Sequence, residues 1–122
     1  MSGNKVFLDT NIIIYILSGN EKYINKFLDK EIYVSIITEI EVLSYKFKSI
    51  EDENIAKNFF ENVNIVDISC FVKNLIISIK KENKVKLPDW IILATSLFLW
   101  LELETEDIKL KNLLNKIKNT KK

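Results

Sequence analysis

The run Val6-Phe7-Leu8 constrains this chain more than any other feature. Successive side chains of a strand point to opposite faces, so three large apolar residues in a row need cover on both sides. That reads as a central strand of a parallel sheet with helices above and below it. The rest of the chain supplies both. Residues 5–14 read as the first strand, 20–30 as a short amphipathic helix and 31–37 as a β-branched second strand. Residues 38–47 and 52–61 read as helices, 64–68 as a third strand and 71–84 as a helix. Leu87-Pro88-Asp89 is a helix-start signal, followed by an apolar helix over 90–100. Residues 101–105 read as a fourth strand, and 106–122 as one more helix and a lysine-rich tail from about residue 115. Strands alternating with helices predict an α/β layer fold on a mostly parallel sheet.

With 122 residues and no linker or repeat, the chain is expected to form one domain over 1–122. The longest apolar run, residues 90–101, is far short of the ~20 residues that span a bilayer. The N-terminus lacks a signal-peptide pattern, so the cytoplasm is the expected location and no membrane is involved.

The missing residue types narrow the chemistry. There is no His, which removes Ser-His-Asp and Cys-His catalysis and any His-ligated metal. Only two Gly are present, so neither a P-loop nor a dinucleotide fingerprint can be built. One Cys cannot form an internal disulfide. Carboxylates, hydroxyls and lysines remain.

Sites in open α/β sheets form beyond the carboxyl ends of the strands, and four acids fall at or just after such ends. Asp9 closes the Val6-Phe7-Leu8 run. A cap explains it poorly if residues 12–14 continue the strand, and an unpaired carboxylate beside a core strand is costly. Glu41 stands three residues after Thr38, the spacing of a capping box. Asp89 lies in the first turn of a helix, where the dipole favours an acid. Asp107 follows a short strand and reads as a turn or cap. The four are separated by 32, 48 and 18 residues. Brought together they repel unless a cation lies between them, and hard oxygen ligands suit Mg²⁺ or Mn²⁺. Without His, a metal-activated water is the natural hydrolytic nucleophile.

Four segments together resemble the PIN-domain ribonucleases. VFLDTNIIIYIL resembles their opening strand, SIITEIEVLSY their second motif, LPDWIILATSL their third, and LELETED their T-x-D motif. The order and spacing agree over residues 5–107, and the nearest likeness is to small bacterial toxins of the VapC type. The resemblance implies a three-layer α/β fold with a central sheet of four strands, or five. It also implies an Mg²⁺- or Mn²⁺-dependent endoribonuclease, a small antitoxin that neutralises it, and a homodimer. Its site maps onto Asp9, Glu41, Asp89 and Asp107 as catalytic and metal-binding acids, with Asn11 and Thr105 as supporting polar groups.

Three features depart from the family. Trp90 replaces the usual small residue after the third-motif acid, a change able to crowd the pocket. Glu106 adds a negative charge inside T-x-D. Residues 109–122 show a helical, lysine-rich pattern where a last strand is usual. RNA contacts are expected at Lys46 and Lys48, after the Glu41 helix, and at Lys84 and Lys86, before Asp89. The helix over 90–100 is apolar nearly all round and needs cover, so Leu93, Leu97 and Trp100, with Tyr15, Ile16 and Tyr23, form the expected self-association patch.

A haloacid-dehalogenase phosphatase is rejected because Asn11 stands where its second Asp belongs. A receiver domain is rejected because its early acid pair is missing. The remaining alternative is a PIN-like binding module that has lost catalysis; retention of all four acids speaks against it.

Overall fold

The computed structural model describes residues 4–80 and 86–120. Four strands form one sheet: β1 (Lys5–Leu8), β2 (Glu31–Ser35), β3 (Asn64–Val66) and β4 (Glu102–Glu104), in the order β3-β2-β1-β4. All three pairings are parallel. Seven helices pack around it among the described residues: α1 (Thr10–Leu17), α2 (Glu21–Phe27), α3 (Ile36–Leu43), α4 (Ile50–Glu61), α5 (Cys70–Lys80), α6 (Leu87–Leu99) and α7 (Ile108–Thr120). The three-layer expectation holds, and the mostly parallel sheet is parallel throughout.

The alternation of β1 explains the layers. Phe7 faces a cluster with Trp90, Leu93, Leu103, Leu110 and Leu114, which belongs to α6, β4 and α7. Val6 and Leu8 face the other way, toward Ile12, Ile13, Phe27, Val34 and Phe60. Register ties the layers together, with Phe7 level with Tyr33 on one side and Leu103 on the other. β1 and β4 are the neighbours at which the strand order reverses, the place where open α/β sheets form their crevices.

Two expectations need correction. The first strand ends at Leu8, and residues 10–14 belong to α1. Its isoleucines are a helix face: Ile12 and Ile13 are buried and Ile14 is exposed. Short apolar runs fit a strand or a helix equally well, and the turn at Asp9 decides. Next, α3 starts at Ile36 with Ser35 as its cap, the hydroxyl accepting from the Ile37 N–H at 3.2 Å. Thr38 is therefore inside the helix, and the capping box with Glu41 does not exist. The helix expected over 106–122 is present as α7 over residues 108–120, and the sheet has the expected four strands, with no fifth among the described residues.

The expected self-association patch is also not assembled. Leu93 is fully buried, Tyr23 is buried, and Leu97 and Ile16 pack against the core. Neighbouring elements of the same chain cover most of α6. Trp90, expected to crowd the pocket, is fully buried in the core, where its indole N–H has no partner among the described residues.

Trp100 stands apart. It ends α6 in the left-handed conformation at φ 58° and is 91% exposed. Glycine is the usual residue at such a position, and an L side chain there costs roughly 1 kcal/mol. Trp100→Gly is expected to raise Tm by about 4 °C. A thermal melt of the two proteins checks it; an unchanged or lower Tm means that the indole has packing of its own.

Candidate active site

Asp9 follows β1 directly. Its N–H donates to the Glu104 carbonyl at 3.0 Å, which extends the β1–β4 ladder by one rung. The side chain is 4% exposed and caps α1, with Oδ1 accepting from the Thr10 N–H at 2.7 Å. Oδ2 accepts from the Thr105 hydroxyl at 2.5 Å, across 96 residues of sequence. The same hydroxyl oxygen accepts from the Asp107 N–H at 3.0 Å. One Thr thus joins the acid after β1 to the acid after β4, which gives the T-x-D spacing a physical reason. Asp107 in turn accepts from the Leu110 N–H at 3.2 Å and so fixes the start of α7.

Glu41 comes from the last turn of α3. Its Oε1 accepts from the Thr10 hydroxyl at 3.1 Å, and that hydroxyl also lies 3.0 Å from the Thr38 hydroxyl. Thr38 and Glu41 are three apart and share a helix face. Their spacing builds the site wall instead of a cap. Thr10 and Thr38 were not singled out from the sequence as site residues. The signal for Thr38 was present, since a hydroxyl in an apolar helix must find a partner when buried.

Asp89 lies in the first turn of α6 and makes no side-chain cap. Its carboxyl is pushed above the ordinary carboxylate value, first by burial, then by the charges of Asp9, Asp107 and Glu41; Lys86 pulls the other way. The four expected acids therefore share one electrostatic environment, although they come from four separate elements. Three of them also stand at helix starts, where the dipole favours negative charge. For Asp9 and Asp107 capping and clustering hold together.

Two expected participants are placed elsewhere. Asn11 is exposed in the first turn of α1, and no hydrogen bond joins it to the four acids among the described residues. Glu106 is exposed and its charge acts on Tyr23 of α2. Burial first, and then this carboxylate, raise the Tyr23 pKa. Beside it, the Lys26 ammonium pairs with Glu104 at 3.0 Å. The Lys26–Glu104 pair fastens the end of β4 to α2. Lys86 is exposed and acts on Asp89, Lys46 and Lys48 are exposed between α3 and α4, and Lys84 lies outside the described residues.

A groove of about 680 Å³ opens beside Thr10 and Glu41, with an apolar wall that includes Ile14, Tyr45, Phe47 and Ile55. Among the described residues no three acids are close enough to form a ready metal cage. The donor chemistry nonetheless fits a hard divalent cation: carboxylate oxygens only, mutually repelling, with no ammonium group paired to any of them among the described residues.

A parallel sheet with acids gathered where its strand order reverses defines a class of protein, and the comparisons agree on which. The sequence pattern of the PIN domain matches residues 6–114. This chain belongs to the PIN domain family. Among solved structures it is similar to a toxin–antitoxin complex from Klebsiella pneumoniae, with 32% identity, a TM-score of 0.75, and 85% of this chain and 88% of that one covered. It also shares its fold with VapBC2 from Rickettsia felis bound to a DNA fragment from their promoter, at 21% identity and TM-score 0.75 over 88% and 92% of the chains. VapBC-1 from nontypeable Haemophilus influenzae matches at 22% identity and TM-score 0.72 over 92% and 93%. No curated protein sequence matches closely. Among the described residues no helix is long and apolar enough to cross a membrane.

Proposed function

We propose that this chain is a divalent-metal-dependent endoribonuclease and the toxin of a toxin–antitoxin pair. One arrangement carries the reading: Thr105 joins Asp9 to Asp107 and Thr10 holds Glu41 beside them, with Asp89 close enough for all three to raise its pKa. A fold maintains such repulsion at a cost to its own stability, and a cation at that point removes it. Asp9, Asp89, Glu41 and Asp107 are the residues to hold Mg²⁺ or Mn²⁺. When bound, the ion supplies Lewis acidity for phosphodiester hydrolysis.

The remaining work belongs to the chain itself. Thr105 holds the Asp9 carboxylate in one orientation by donating to Oδ2. Thr10 does the same for Glu41. Asp89, whose raised pKa brings it closer to neutrality, is the group suited to orient or deprotonate the attacking water. The proposed product carries a 5′-phosphate. Lys46, Lys48, Lys84 and Lys86 line the RNA path in this reading, and Lys86 has the best claim because it acts on Asp89. The partners are RNA, a small antitoxin and a second copy of the chain, in the cytoplasm. The antitoxin is supported by the likeness to the Klebsiella pneumoniae complex. The apolar groove beside Glu41 is its proposed seat. A module without catalysis gains nothing from the strain at Asp89.

Incubating the protein with single-stranded RNA and Mg²⁺ tests the reading: cleavage is expected, and EDTA should stop it. Intact RNA with Mg²⁺, or cleavage undiminished in EDTA, refutes it. Thr105→Val is expected to lower cleavage about 10- to 100-fold, the usual cost of losing an outer partner of a metal ligand. It should also cost roughly 1–3 kcal/mol of stability, because a buried carboxylate oxygen loses its donor. Denaturant titration beside the cleavage assay checks both, and wild-type values in either would deny Thr105 its bridging role.

A further inference from the structure

Charge is divided very unevenly along this chain. The first 107 residues carry 12 Lys against 17 Asp and Glu, and residues 108–122 carry six Lys and no acid. A body of net charge −5 repels a polyanion, yet the activity proposed above needs one to approach an acidic site. We propose that α7 is the element that recruits the RNA backbone; this rests on the ribonuclease reading.

The placement of α7 supports that role. The helix starts on Asp107, whose carboxylate accepts from the Leu110 N–H and whose carbonyl accepts from the Lys111 N–H at 3.0 Å. Leu110, Leu113, Leu114 and Ile117 are buried in the core and fix its rotation. Lys109 and Lys116 therefore lie on one flank of that buried stripe and Lys111 and Lys118 on the other, and all four are exposed. None of them is in an ion pair among the described residues. Lysine near a helix C-terminus is ordinary, since it complements the dipole. Lysine near the N-terminus is not. The first turn of α7 has no acid, whereas the first turn of α4 has Glu51, Asp52 and Glu53. Lys109 and Lys111 thus oppose the helix dipole, so helix stability does not account for them. Over 13 residues the helix runs about 20 Å from the site. That exceeds the ~8 Å reach of a charge at physiological salt. Lys116 and Lys118 thus act on phosphates distant from the scissile one, and these two contribute to binding and not to the chemical step.

The test replaces Lys109, Lys111, Lys116 and Lys118 together by Gln, with a fourfold Arg variant as control. Binding of fluorescein-labelled single-stranded RNA is followed by anisotropy in EDTA across a salt series. Cleavage with Mg²⁺ is measured in parallel. The Gln variant should lose roughly two to three units from the slope of log K against log salt, at ~0.7 per phosphate contact. Its KM should rise at least about tenfold; in the variant with only Lys116 and Lys118 changed to Gln, kcat should stay within about twofold, as for residues that bind ground state and transition state equally. The Arg variant should match wild type, because phosphate contacts read charge. An unchanged salt slope and KM in the Gln variant overturns the proposal while wild-type cleavage leaves the ribonuclease reading standing. Lost affinity for a poly-glutamate peptide with intact RNA affinity would assign the face to an acidic protein partner and likewise overturn it. Wild-type protein that neither binds nor cleaves RNA removes both.

Discussion

Asp9→Asn is expected to lower Mg²⁺-dependent RNA cleavage by more than about a hundredfold with little change in stability. Loss of an outer partner of a metal ligand already costs 10–100-fold, and Asp9 is the proposed ligand itself. Its two oxygens are fixed by the Thr10 N–H and the Thr105 hydroxyl, so its direction is set before any ion arrives. Asn is as good a helix cap as Asp, and its carbonyl oxygen can keep one of these donors. The substitution therefore removes charge with small structural change. Two measurements decide: the cleavage rate at saturating Mg²⁺, and the thermal midpoint without Mg²⁺. Near-normal cleavage would remove Asp9 from the site. Large destabilisation would show that its charge is needed for folding.

Asp89→Asn is expected to separate activity from stability in the opposite sense. Cleavage should again fall by more than about a hundredfold, but in the absence of metal Tm should rise by a few degrees. The raised pKa of Asp89 is the net of its burial, its like-charged neighbours and the opposing Lys86. That net disfavours the ionised form in the folded state, and a neutral amide escapes it. The pH dependence follows from linkage. A carboxyl raised on folding takes up a proton, so its contribution to stability is full below the ordinary carboxylate range. That contribution is lost as pH rises through the raised value. The Tm difference between Asp89→Asn and wild type should accordingly grow as pH rises through this range and level off above it. Added Mg²⁺ should shrink it by stabilising wild type. A variant less stable than wild type at neutral pH, without metal, contradicts the assignment.

The sequence went furthest where a single physical demand had a single solution. Val6-Phe7-Leu8 could be covered on both faces only by helices on both faces, and the two core clusters split β1 accordingly. Asp9 was legible because a carboxylate at the end of such a strand had no neighbour in sequence to neutralise it. Pro88 marked the start of α6 by fixing its own φ, and the structure places it within the first two residues of that helix. Reading failed where two local solutions were equally good. Thr38 and Glu41 suit a capping box as well as a helix face, and Ser35 decided by ending β2 three residues earlier. Residues 10–14 suit a strand as well as a helix, and the Asp9 cap decided.

What the sequence by itself determined was the layer order and the parallel sheet, and it named four candidate acids, since these depend on apolar periodicity and on which residue types are absent. Only the tertiary structure decided what those acids have to do with one another. The hydrogen bond from Thr105 to Asp9 joins residues 96 positions apart, and Thr10 reaches Glu41 across 31. The pairing of Glu104 with Lys26 of α2 and the burial of Trp90 in the core are likewise fixed by elements distant in sequence. Periodicity reports the face of an element that meets the core, because that face is repeated along the chain. A contact between single side chains of distant elements has no repeat to reveal it, and it exists only once the strands have been set side by side.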